Sequence, residues 1–240
     1  MRASRRRTLA EELLIVLSLT LLQSAVYSLI SLLQAPVAGY TVASADQNTQ
    51  LLLQVLDFAF GLAPVALVLY LMGRGDDPPV RFGLVPTRGI GPDVALGSAL
   101  AVAVSVVGIG VYLGSVALHL NRFVVPVPPL GHWWTIPLLI LIAIQAGLLE
   151  ELIVVSYMIT RLEQVGVSAA AAVGASAFLR GSYHLYQGFG GFAGNLMLGA
   201  FFGIVFVRTR RVWPLVIAHA MIDTLAGLGY IVFRNHLPGL

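Results

Sequence analysis

The 240-residue chain has no cysteine and no lysine, and only 10% of its residues are charged. Without cysteine there is no disulfide framework, no thiolate-held metal and no thiol catalysis. Soluble domains carry roughly a quarter charged residues, so the shortage of charge argues against a water-soluble fold. Alternating strands of about ten residues are also missing, which excludes an outer-membrane barrel. What fills the chain is apolar, with 58% hydrophobic residues and a mean hydropathy of +0.89. That composition specifies an all-α, polytopic helical membrane protein. The net charge of +3 is small and carried by arginines in short connections, so it reports topology rather than nucleic-acid binding.

The apolar runs predict about seven transmembrane helices, near residues 13–33, 51–72, 94–118, 135–160, 168–187, 191–207 and 212–233. The basic segment Met1–Glu12 leads into a run long enough to span, so it reads as a first helix rather than a cleaved signal, despite the small residues at Ala35–Ala38. Trp133 and Trp134 suit an interfacial belt, and His119, His132 and His236 lie at loops or their edges. Three Gly-x-x-x-Gly pairs, at Gly110, Gly190 and Gly199, mark faces where helices can approach closely. The N-terminus and alternate connections hold four, three, one and three of the fourteen arginines. The positive-inside rule then places the N-terminus in the cytoplasm and the C-terminus outside.

Seven ionisable residues remain inside the spans: Asp57, Glu150, Glu151, Arg180, His184, His219 and Asp223. Each costs about 2.5–3.5 kcal/mol at the centre of a lipid-facing helix, so such groups face the bundle interior and pair. Asp57, alone in its span, reads as a packing residue. Arg180 and His184 share one helix face, as do His219 and Asp223, because each pair is four apart. Glu150 and Glu151 differ by about 100° on an α-helix, so one can face a cavity and the other a neighbouring helix. A carboxylate among apolar neighbours can act as a general base, and a histidine across the cavity can share the water it activates. A second histidine with an acidic partner can donate to a developing oxyanion. Together these groups describe amide hydrolysis inside a membrane cavity.

Glu150-Glu151, Tyr183-His184 and His219-Ala-Met-Ile-Asp223, in that order on three late spans, resemble the CPBP family. This family comprises type II CAAX prenyl endopeptidases and bacteriocin-processing or self-immunity intramembrane proteases. Its pattern is Glu-Glu-x-x-x-Arg, Phe-x-x-x-His and His-x-x-x-Asn/Asp. The resemblance covers about Leu130–Phe233, and Arg81-Phe-Gly-Leu84 resembles a short Gly-Leu element ahead of the domain. It implies N-terminal helices and loops over 1–129 and a protease core over 130–235, within one membrane domain. It further implies Glu150 as the base activating water with His184, His219 and Asp223 as oxyanion stabilisers, and Glu151 as a structural ion-pair partner. The partners implied are membrane lipid and a peptide or protein substrate at the membrane. The resemblance makes no cofactor certain; a divalent metal such as zinc, on His184 and His219, stays open.

The chain departs from the pattern twice, with Val155 where arginine is expected and Arg180 where phenylalanine is expected. The two departures read as one exchange, in which Arg180 supplies from the next helix the guanidinium that neutralises the Glu pair. Arg180 is therefore expected within salt-bridge reach of Glu151 or Glu150. Counted from the loops, His184 and His219 fall at different depths, which requires a displaced fifth helix or a break near Gly181 or Gly188. A non-catalytic scaffold and a proton-coupled transporter remain as alternatives to the endopeptidase. Arginine without lysine, with abundant glycine and alanine, points to a GC-rich bacterial genome and hence the inner (plasma) membrane. There the family's eukaryotic substrate, a prenylated Cys-a-a-X peptide, is not expected, and a bacteriocin leader, a pheromone or a membrane regulator is as plausible.

Overall fold

The computed structural model describes residues 2–33, 47–74, 77–122, 124 and 127–234; His236 and residues 35–46 lie outside these. Among the described residues, seven helices follow the apolar runs. Helix α1 covers residues 2–33 with a π-helical stretch at Ser18–Leu22, and α2 covers residues 47–74 with a turn at Leu62. Helix α3 is Ile90–Ala117, α4 is Thr135–Val165 with a π-helical stretch at Glu150–Tyr157, and α5 is Ala169–Tyr183. Helix α6 is Phe189–Thr209 and α7 is Trp213–Phe233. Six of the seven are long and apolar enough to cross a membrane.

The exception is α5, expected as a span to residue 187. Its 15 residues reach about 22 Å, against a hydrocarbon core of about 30 Å. After Tyr183 the chain makes one tight turn at Leu185–Gln187 and reverses at Gly188, whose φ of 92° suits glycine and few other residues. Two backbone bonds pin this reversal to the end of α3, Arg122 N to Gln187 O at 2.8 Å and Gly190 N to Leu120 O at 3.1 Å. The expected break therefore falls at residues 184–188.

Helix α4 is the centre of the bundle, with 56% of its spanning window buried against 11% for α3. It is apolar on all sides, and a helix of that kind is stable only when surrounded. Leu152, Val155 and Ile159 pack on Phe202, Phe206 and Leu215 of α6 and α7. Ile153, Val154 and Tyr157 pack the other way, on Leu13, Val16 and Leu17 of α1 and Val68 of α2. Helix α6 comes close to α5 at the expected glycines. A Cβ on Gly199 would lie 3.0 Å from Ala177 Cα, and one on Gly203 would lie 2.9 Å from Val173 Cγ1.

Several expectations are corrected. Gly110 and Gly114 face open space, so that pair makes no helix contact. Trp134 is buried and stacks on His132 at 4.6 Å between centroids, leaving only Trp133 exposed as a belt residue would be. Asp57 is exposed rather than packed. Two loop arginines are more than topology markers. Arg161 is buried and holds Glu12 of α1 at 3.0 Å and Asp77 at 3.3 Å, while Arg211 is buried against Asp93. The Arg81–Leu84 element docks on the core: Ser156 Oγ donates to Phe82 O at 2.6 Å and Trp213 Nε1 donates to Leu84 O at 2.8 Å.

Candidate active site

Three helices carry the polar groups to one place: α4 carries Glu150 and Glu151, α5 carries Arg180 and presents His184 at its end, and α7 carries His219 and Asp223. The shortness of α5 solves the problem of depth. At 1.5 Å per residue, Glu151 lies about 21 Å from the end of α4, and His184 lies about 22 Å from the start of α5. His219, only about 9 Å into α7, reaches them because α7 starts inside the protein, where Val212 and Leu215 are fully buried. The π-helical turn at Glu150–Tyr157 widens α4 locally. Such widened turns recur at functional sites, and here the turn lets both adjacent carboxylates reach Arg180.

Glu151 is fully buried, and its Oε1 accepts from Arg180 Nη1 and from His219 Nδ1, each at 2.7 Å. Arg180 Nη2 lies 3.2 Å from Glu150 Oε2, so the guanidinium bridges the two acids from the neighbouring helix, within the reach expected of it. Its charge also lies over the Phe202 ring, 5.7 Å from the centroid. His219 Nε2 is 3.3 Å from Asp223 Oδ2, so both ring nitrogens face carboxylate oxygens. His184 Nδ1 lies 2.9 Å from Arg180 O. A carbonyl only accepts, so Nδ1 carries the proton and Nε2 presents a lone pair. That nitrogen faces Glu150 Oε1 at 3.9 Å.

Between them is an open hollow of about 520 Å³. Glu150, Tyr183 and His184 form one side; Ser24, Tyr27 and Ser28 of α1 form the other. From the sequence, Tyr183 is quoted beside His184 without a role, and the α1 wall is not marked. Tyr183 adjoins the His184 motif, but an aromatic in an apolar run reads as packing. The α1 residues carry no motif at all. Glu151, His219 and Asp223 are not among the residues lining the hollow. They sit in the ion-pair network that fixes Arg180 and, through it, Glu150.

The residues present do not fit a metal site. Among the described residues no three His, Asp or Glu groups are arranged to hold an ion. The positive charge between the acids is supplied by Arg180, and His219 has no nitrogen free of a carboxylate partner.

Residues 132–225 match the family model described as type II CAAX prenyl endopeptidase, Rce1-like. The matched segment holds all six polar groups of the network, and α1 lies outside it. No curated protein and no solved structure matches the chain.

Proposed function

We propose that this chain, Rce1-like across its last four helices, is an intramembrane endopeptidase acting on a peptide or protein substrate held at the membrane. The observation that carries the reading is the facing of Glu150 Oε1 and His184 Nε2 across 3.9 Å at the edge of a hollow. A water bound to both is polarised by Glu150, with the His184 lone pair accepting its second hydrogen bond. The water oxygen bonds to the scissile carbonyl carbon, Glu150 takes the proton, and the carbonyl π pair moves onto oxygen. The C–N bond then breaks, and Glu150 returns the proton to the departing amine. His219, held by Asp223, turns its Nε2–H from that half-exposed carboxylate to the oxyanion. Glu151 and Arg180 are positioning residues that keep the base and the helices in register.

The protein acts within the bilayer, with the N-terminus cytoplasmic and the C-terminus outside. No step requires a metal or an organic cofactor. Glu150→Gln removes the base while keeping the shape of the side chain. In proteoliposomes it should cut the cleavage of a fluorogenic Cys-aliphatic-aliphatic-X peptide by about 10²–10⁴-fold, the usual worth of a general base. Cleavage by this variant at the wild-type rate sinks the reading and leaves a non-catalytic scaffold in its place.

A further inference from the structure

We propose that Tyr183 donates a second hydrogen bond to the carbonyl oxygen of the scissile peptide, a role that rests on the endopeptidase reading above. Tyr183 is only 7% exposed, and its hydroxyl approaches the Glu150 carboxylate without completing a well-formed hydrogen bond to it or to any other described residue. A buried hydroxyl left unbonded is costly, more so where no water can reach it. A native structure keeps such a group for a reason, and a ligand that bonds it is one. This residue lines the same hollow as Glu150 and His184, with its hydroxyl beside the Glu150 carboxylate. The ring is fixed in advance. Its centroid lies 4.8 Å from that of His184, and its backbone oxygen accepts from Ser28 Oγ of α1 at 2.7 Å. A donor held in place before the reaction needs no reorganisation when charge develops.

The other donors of the Arg180 network are engaged. Arg180 gives its Nη groups to the two glutamates, and His184 gives Nδ1–H to Arg180 O. His219 donates to substrate only by leaving Asp223. Tyr183 gives up only its approach to the Glu150 carboxylate. As the carbonyl π pair moves onto oxygen, the Tyr183 O–H bonds that oxygen and keeps its own proton. The pair returns to the carbonyl as the C–N bond breaks. Ser28 bonds the backbone of residue 183, so Tyr183→Phe removes the hydroxyl and leaves both restraints on the ring.

The test uses full-length protein in proteoliposomes and two fluorogenic peptides of one Cys-aliphatic-aliphatic-X sequence, one farnesylated and one not. Tyr183→Phe should lower kcat by about 10²-fold, near the lower end of the loss for one oxyanion donor. KM should stay within about twofold, and the acid limb of the pH profile should stay in place. A kcat within about threefold of wild type overturns the proposal. So does a displaced acid limb, because Tyr183 would then act by holding Glu150. Glu150→Gln run alongside separates the failures. If that variant is dead while Tyr183→Phe is fully active, only the Tyr183 role falls. If wild type cleaves neither peptide, or Glu150→Gln cleaves as well as wild type, the endopeptidase reading falls and the Tyr183 role with it. A peptide aldehyde of the same sequence, bound as its hydrate, reports per folded molecule should Tyr183→Phe lose stability. Its Kd should rise by about the same factor, and an unchanged Kd overturns the proposal.

Discussion

Removing the guanidinium of Arg180 strands two carboxylates, one of them fully buried. Breaking a buried pair by deleting one partner costs about 3–5 kcal/mol, because the remaining charge is left uncompensated. Arg180→Phe, which installs the residue of the family pattern, should therefore lower the melting temperature in detergent sharply and abolish cleavage. The second departure offers a rescue. Val155 is fully buried in the same cluster as Phe202, the ring on which Arg180 rests. Val155→Arg added to Arg180→Phe restores the family arrangement and should recover more than half of the lost stability. A double variant no more stable than Arg180→Phe alone would mean that the two positions did not exchange one charge. The exchange is legible in the sequence because a motif fixes register: with the Glu pair and His184 in place, an arginine four residues before His184 can point to the same cavity. Tyr183 is not legible in that way. Its chemistry depends on where the hydroxyl lies relative to Glu150 and the hollow, which no residue pattern records.

At the scale of elements, α1 is tied to α4 near its start and to α5 further along. Near its start, Glu12 accepts from Tyr157 Oη at 2.6 Å and from buried Arg161, and further along Ser28 bonds Tyr183 O. Arg161 also holds Asp77 in the connection between α2 and α3, so one side chain joins three parts of the chain. Arg161→Met leaves Glu12 and Asp77 without that partner, and unfolding in detergent should show a loss of about 3–5 kcal/mol. Since the knot is about 15 Å from Glu151 along α4, the kcat of the molecules that remain folded should stay within about twofold. The sequence marks Arg161 as a loop charge, because position relative to an apolar run cannot show whether the loop is tucked inward. The same limit explains α5. Apolar composition runs on through residues 185–192, so hydropathy alone extends the span past the point where the backbone turns. Helix α4 is legible for the opposite reason: two acids inside an unbroken apolar run demand a buried centre.

At the scale of the whole molecule, orientation is open to direct test because the chain has no cysteine of its own. Single cysteines at Arg88 and Trp133, both exposed, report opposite faces. In intact inverted vesicles a membrane-impermeant maleimide should label Arg88→Cys and spare Trp133→Cys, and right-side-out spheroplasts should give the reverse. The opposite pattern would invert the proposed topology. The hollow lies away from the arginine-rich connections: its α1 wall is at Ser24–Ser28, and the turn beyond His184 lies far from Arg208–Arg211.

With the arginines inside, the short reach of α5 acquires a directional meaning. In the proposed orientation it would leave about 8 Å of hydrocarbon depth unspanned on the exterior side, and solvent would reach Glu150 from there. Hydrolysis would then draw its reactant from outside the cell, and clipped fragments would be released there without crossing the barrier again.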